Sequence, residues 1–245
     1  MENKTIADKI LEFNYSLSQT HIELPKPYRI LNPFQGENSK KVFEISKCFY
    51  YKFYNDTNKR FMIVGSSPAR RGTGLTGVPF EDVQHLYKYT NIELKGFHVN
   101  KSSSNFLYDV IEEFGGPEKF YSQFYLNFVC PLGIIKTNDK GKDLNCNYYD
   151  NKQVQTLLEK FILKTLHEQL SFNIDRTVCF CIGSGENCIF LEKINKQYKL
   201  FDLIIPLEHP RFIMQYNSKN KDKYIKKYLD ALTLSKNKGE IYENK

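Results

Sequence analysis

The chain has 245 residues, 41% hydrophobic and 26% charged, with 35 Lys and Arg against 28 Asp and Glu for a formal charge of +7. That length suits one domain over residues 1–245 with a sizeable core, and the basic balance suits a polyanionic partner such as nucleic acid. No run approaches 18 apolar residues and the start Met1-Glu2-Asn3-Lys4 is charged, so no membrane contact and a cytoplasmic location are expected.

In residues 4–18, Ile6, Ile10, Leu11 and Phe13 recur at helical spacing. Leu24-Pro25-Lys26-Pro27-Tyr28 interrupts that pattern, and a second helix runs from Lys40 to Tyr54 with Val42, Ile45, Phe49 and Phe53 as its inner stripe. Arg60 to Gly65 reads as a buried strand that ends in a glycine-rich loop. A helix over 103–115 is punctuated by Gly115-Gly116-Pro117, and Phe124 to Val129 forms a second strand. A polar loop is expected from Asn138 to Tyr149, then a long helix from Lys152 to Leu170. Thr177 to Ile182 is a third strand, and Gly183-Ser184-Gly185-Glu186 opens another helix. Asp202 to Pro206 is a fourth strand running into Glu208-His209-Pro210, and a lysine-rich helix near 219–234 leads to a tail, the two together spanning 218–245.

Short apolar strands separated by helices of ten or more residues predict an α/β fold, a three-layer α/β/α sandwich with a central four-stranded, mostly parallel sheet. In such sheets ligands bind beyond the carboxyl ends of the strands. Here the loops at that edge begin at Gly65, Cys130, Gly183 and Leu207.

Several chemistries lack their residue patterns. Gly72-Thr73-Gly74-Leu75-Thr76-Gly77 spells a G-x-G-x-x-G, but the preceding strand ends at Gly65, too early for a dinucleotide fingerprint. No G-x-x-x-x-G-K-[ST], H-E-x-x-H or G-x-S-x-G occurs. Of the five histidines, 21, 85, 98, 167 and 209, only His209 follows a predicted strand directly and precedes a proline. The cysteines at 48, 130, 146, 179, 181 and 188 form no C-x-x-C pair, which favours packing over metal binding. The 36 Phe and Tyr serve core packing or stacking on bases.

The loop from Gly65 through Ser66, Ser67, Pro68, Ala69, Arg70 and Arg71 to Phe80 carries most information. Its glycines and small side chains let backbone approach a flat ligand, Arg70 and Arg71 suit phosphates, and Phe80 offers a stacking face.

This loop resembles the first motif of the uracil-DNA glycosylase superfamily, nearest its single-strand-selective monofunctional branch and a bacterial subgroup of it. Gly65, Pro68 and Thr76-Gly77-Val78-Pro79-Phe80 stand at the family's spacing, followed by Gly116-Pro117-Glu118 with Phe120, by Cys130-Pro131-Leu132, and by His209-Pro210 where the second motif falls. The similarity covers residues 60–215, and Leu207 to Tyr216 matches the subgroup's closing segment. It implies cleavage of the bond between an extruded base and deoxyribose, with DNA as partner and neither metal nor cofactor; a monomer is the default expectation. It assigns His209 to the oxygen of the leaving base and Ser67 to the attacking water. Gly65, Ser66 and Pro68 would line the base pocket, Phe80 would stack on the base, and Asn127 would read its edge. Arg70, Arg71, Arg211 and Phe212 would meet DNA, and the segment Arg211-Phe212-Ile213-Met214 is read equally as a wedge or as a core-packed segment. The lysine-rich end is read as a solvated face that can also touch phosphate.

The chain departs from the family's first motif at Ser67, where Asn or Asp is usual, and at Ala69, where Gly is usual; Arg211-Phe212 replaces Ser-Pro in the second. Serine orients water but is no base at neutral pH, so either a dissociative bond cleavage needs no base or Asp82, Glu81 or Glu208 supplies one. A smaller side chain at 67 also leaves room for a bulkier base. Two alternatives therefore stand beside excision of a uracil-like pyrimidine: removal of hydroxymethylated or glucosylated phage bases as antiviral defence, and a catalytically weak reader of damaged DNA. No lysine stands out as a Schiff-base nucleophile, so strand cleavage is not expected.

Overall fold

A computed structural model describes residues 4–81, 83–93 and 101–243. In chain order the elements are α1 (Ile6–Ser18), β1 (Tyr28–Leu31), α2 (Ser39–Phe53), β2 (Arg60–Gly65), α3 (Thr73–Thr76), α4 (Val83–Thr90), α5 (Lys101–Phe114), α6 (Pro117–Tyr121), β3 (Phe124–Phe128), β4 (Gly133–Thr137) and β5 (Asp143–Cys146). There follow α7 (Lys152–Leu170), β6 (Ile174–Ile182), α8 (Glu186–Tyr198), β7 (Leu203–Leu207), α9 (Pro210–Tyr216) and α10 (Lys221–Glu243).

Four strands form the central sheet in the order β3-β2-β6-β7, all parallel. The strands are short apolar runs because both faces are covered. On one face Phe124 packs edge-on against Phe114 of α5 and lies tilted against Phe120 of α6. On the other, Tyr125 meets Phe172 and sends its hydroxyl to Gln169 of α7. Helices on both faces make the α/β/α sandwich expected from the alternation of elements.

A buried arginine locks the start of β2. Arg60 is 1% exposed, and all five of its N–H groups are used. They reach both carboxylate oxygens of Asp56 at 2.8 Å, the Tyr121 carbonyl at 2.7 Å, Asn58 O at 3.0 Å and Phe53 O at 3.2 Å. The guanidinium holds the Asp56 carboxyl below its ordinary range. This ties the start of β2 to α2 and α6.

Four expectations need correction. The polar stretch 138–149 is not a loop throughout: β4 and β5 form an antiparallel hairpin, and β1 pairs with β4 to complete a second, three-stranded sheet. Asp143-Leu144-Asn145-Cys146 lacks the β-branched and aromatic residues that mark strands, so its pairing partner, not its propensity, makes it one. Tyr28 likewise begins a strand rather than merely ending a break. Within the long glycine-rich loop, Thr73–Thr76 turns once as helix and stops at Gly77, whose φ of +71° places it in the left-handed region. A Cβ there would stand 2.5 Å from Val42 Cγ1, so this turn needs glycine twice over. The closing helix also extends past residue 234, to Glu243.

Candidate active site

The carboxyl ends of the four parallel strands define one edge. Val64 pairs with Cys181 and Cys181 with Pro206, so Gly65 and Leu207 leave the sheet at the same end. Adjacent strands lie about 4.8 Å apart, which puts the turn after β2 about 10 Å from the segment after β7. Val129 N–H to Gly65 O at 2.8 Å and Cys130 N–H to Ser66 O at 3.0 Å carry the ladder past the end of β2 and set the turn's direction.

Gly65 has no room for a side chain. A Cβ would lie 2.6 Å from Phe80 Cζ and 3.0 Å from Phe128 Cδ1. Phe80 and Phe128 stack above it with centroids 5.1 Å apart and planes 27° from parallel. Phe80 holds φ at +63°, a conformation that costs a non-glycine residue energy, and its N–H donates to Thr73 Oγ1 at 3.3 Å. The long loop thus folds back so that its last residue covers its first.

The second sheet braces this turn. Ser66 is buried and donates to Asn147 Oδ1 at 3.0 Å, and Asn147 is anchored through its own N–H to Asp150 at 2.8 Å. The Arg70 N–H donates to Asn145 Oδ1 at 2.9 Å. Gly133, at the head of β4, would carry a Cβ 2.6 Å from Pro68 O. Ser67 is half-buried between these supports, and Arg71 is exposed. Asn145 and Asn147 were missed in the sequence; their spacing of two, which puts side chains on one face of an extended strand, was the available signal.

His209 caps α9. Its φ and ψ of −65° and 131° are extended, and Nδ1 accepts the Arg211 N–H at 3.0 Å. An accepting Nδ1 leaves the proton of the neutral ring on Nε2. Burial, helped by the Arg211 charge, pushes the imidazole down to about 4, so at neutral pH the ring is an uncharged donor through Nε2.

Asn127 lies on the other side of β3 from Phe128, as alternation requires. Its Oδ1 accepts the Phe128 N–H at 2.9 Å and its Nδ2 donates to the Tyr125 hydroxyl at 2.5 Å. Asn127 and Pro68 line one small recess, with space for about one water molecule, while Phe80 lines another with Glu81, His85, Tyr108 and Tyr121. Gly65, Phe80 and Phe128 therefore gather at one place, while Pro68, Asn127 and Phe128 share the water-sized recess, so that Phe128 belongs to both groups.

The remaining candidates separate clearly. Arg211 is exposed, and Phe212, 46% exposed, leans on Tyr216, 69% exposed, at 5.8 Å, while Ile213 fills the core instead. The core-packing alternative for Phe212 is thus excluded. Glu208 bonds Lys227 at 2.5 Å, and its carbonyl accepts the Tyr228 hydroxyl. Glu81 is buried, accepts the Tyr121 hydroxyl and stands 4.0 Å from His85 Nδ1. Asp82 and His98 lie outside the described residues. Cys130, Cys179, Cys181 and Cys188 are buried in the core, Cys146 is half-buried and Cys48 is exposed.

The model of the Uracil DNA glycosylase superfamily matches residues 51–233. Among solved structures, the crystal structure of wild-type SMUG2 from Pedobacter heparinus is 44% identical and superposes with a TM-score of 0.90, covering 95% of this chain and 99% of that one.

Proposed function

The chain belongs to the uracil DNA glycosylase superfamily and is a DNA glycosylase, a hydrolase of N-glycosyl bonds; we propose that it removes an extruded uracil-like or modified pyrimidine from DNA and leaves an abasic site. The observation that carries this reading is the shared sheet edge, where a crowded Gly65 turn under Phe80 leaves β2 and the His209 donor follows β7, with only β6 between them.

As the bond from C1′ to the base breaks, its electron pair moves onto the base and positive charge builds on the sugar. The Nε2–H of His209 meets the base oxygen where that negative charge collects, an interaction stronger in the transition state than in the ground state. A neutral donor suits this task because its pocket need not solvate a cation before substrate arrives. Phe80 presents its ring to the flipped base, and Ser66 and Pro68 shape the wall. Asn127, which keeps one amide N–H beyond its two fixed bonds, donates it to the base edge. Ser67 orients water toward C1′. An oxocarbenium-like sugar is electrophilic enough that this water needs no strong base, and its proton passes to solvent after attack. Glu81 accepts the Tyr121 hydroxyl, and Glu208 bonds Lys227 through Oε1 while its Oε2 is buried without a partner among the described residues. Arg70, Arg71 and Arg211 supply charge for the phosphates, and Phe212 projects from α9 as the filler of the gap left by the base. We place the enzyme in the cytoplasm, acting as a monomer.

Release of free base from single-stranded and duplex oligonucleotides carrying uracil, hydroxymethyluracil, hypoxanthine, xanthine or glucosylated cytosine tests this reading under single-turnover conditions. Excision is expected for a pyrimidine of the uracil type, slowed about tenfold by Ser67→Ala, the worth of about one net hydrogen bond to the attacking water. Cleavage confined to glucosylated cytosine would move the function to defence against modified phage DNA. Tight binding with no abasic product from any substrate would reject the proposed reaction.

A further inference from the structure

Asn14 stands on α1, outside the residues matched by the superfamily model. It is 4% exposed, and its Nδ2 has no hydrogen-bond partner among the described residues. Buried amide nitrogens are rarely left so, because losing water without gaining a partner is costly. The group lines the same recess as Asn127, together with Leu17, Tyr50 and Pro68, and there is space in it for about one water molecule.

The Asn127 amide is already fixed in one sense. The Phe128 N–H requires an acceptor and so selects Oδ1, which leaves Nδ2 for the Tyr125 hydroxyl; that hydroxyl in turn faces Gln169 Oε1 at 3.4 Å. Two bonds set which end of the amide points where. A third, to the second lone pair of Oδ1, is what holds the plane of the amide against rocking.

We propose that Asn14 is the positioning residue for Asn127: its Nδ2–H donates to a single water in the recess, and that water donates to Asn127 Oδ1, so that the remaining Asn127 N–H keeps a constant direction toward the base. The inference rests on Asn127 as the reader of the base edge. It makes an N-terminal helix, distant in sequence from every motif residue, part of base selection. The coupling is local and needs no movement of the fold, since α1 and the end of β3 both face the recess.

A double-mutant cycle on the full chain tests it, with single-turnover base release and the preference between the best and second-best bases as readouts. Asn14→Leu, which fills the recess and carries no donor, is expected to slow excision about threefold to tenfold, the range of one net hydrogen bond, and to lower the base preference with it. Asn14→Ser retains a donor and is expected to restore most of the preference. In an Asn127→Ala background Asn14→Leu should change the rate by less than about twofold, the scatter of independent sites. Asn14→Ala serves in the same cycle if the leucine variant does not fold. An equal loss in both backgrounds, or an unchanged base preference in Asn14→Leu, would overturn the proposal while leaving Asn127 in place. An Asn127→Ala enzyme with unaltered rate and preference would instead remove Asn127 as reader, and this inference with it.

Discussion

His209→Ala is expected to lower the single-turnover rate of base release by about a hundredfold to a thousandfold, the usual loss when one donor to a developing oxyanion is removed. The substitution also deletes the cap of α9, where Nδ1 accepts the Arg211 N–H at 3.0 Å. Cap loss costs about 1 kcal/mol of stability, too little to unfold an enzyme of this size and easily measured by denaturant. His209→Asn separates the two effects: its side-chain oxygen caps well, and its amide offers a donor of shorter reach. It should be as stable as the wild type and faster than the alanine variant, though slower than histidine.

The pH dependence carries the sign of the same argument. Burial pushes His209 down to about 4, so the ring stays neutral across the usual assay range. The rate should be level from pH 8 to pH 6 and fall only as the pH approaches the folded value near 4. Stability should weaken in the same direction. Below about 6.5 an unfolded imidazole binds a proton that the folded one refuses, so stability present above that pH is lost progressively as the pH drops toward 4. A mechanism that needed the imidazolium would show the reverse, a rate that rises as the pH drops from 8 to 4.

Phe80→Ala is expected to reduce the rate about tenfold to a hundredfold, the worth of one base–aromatic stack. The variant also uncouples catalysis from stability. Phe80 sits at φ +63°, where a side chain is strained by about 1–2 kcal/mol and glycine is not. Phe80→Gly should therefore be more stable than Phe80→Ala by about 1 kcal/mol and equally slow. Urea melts and single-turnover rates on the two variants check both statements. Full activity in Phe80→Ala would take the ring out of base recognition and leave its strain without a functional reason.

The central sheet was legible because three of its strands are five- or six-residue runs and the nine-residue β6 has its apolar core at Val178 to Ile182, and because the helices between them carry clear inner stripes. The hairpin of β4 and β5 was not, since Asp143 to Cys146 becomes a strand through its partners Ile134 to Thr137 rather than through its own composition. That miss hid Asn145 and Asn147, the two side chains that hold the turn at Ser66 and Arg70. Parity along β3 separates Asn127 from Phe128 in any sequence reading. Which of the two would meet Phe80 depends on the loop's return path, and that path is set by contacts at Gly65, Thr73 and Gly133 that involve distant segments. His209 stood out by its place after a strand, whereas its neutrality comes from burial and a cap bond, both properties of the folded chain. Asn14 belongs to no motif and becomes visible only through the recess it shares with Asn127.

The most direct measurement is a crystal structure of the enzyme with a single-stranded oligonucleotide carrying a non-cleavable uracil nucleotide. The expected density places the pyrimidine flat against Phe80, with a ring oxygen within hydrogen-bond distance of His209 Nε2 and C1′ beside Ser67. A base lodged away from the Gly65 turn, or one whose oxygens face groups other than His209, would contradict a catalytic centre formed where β2 and β7 end.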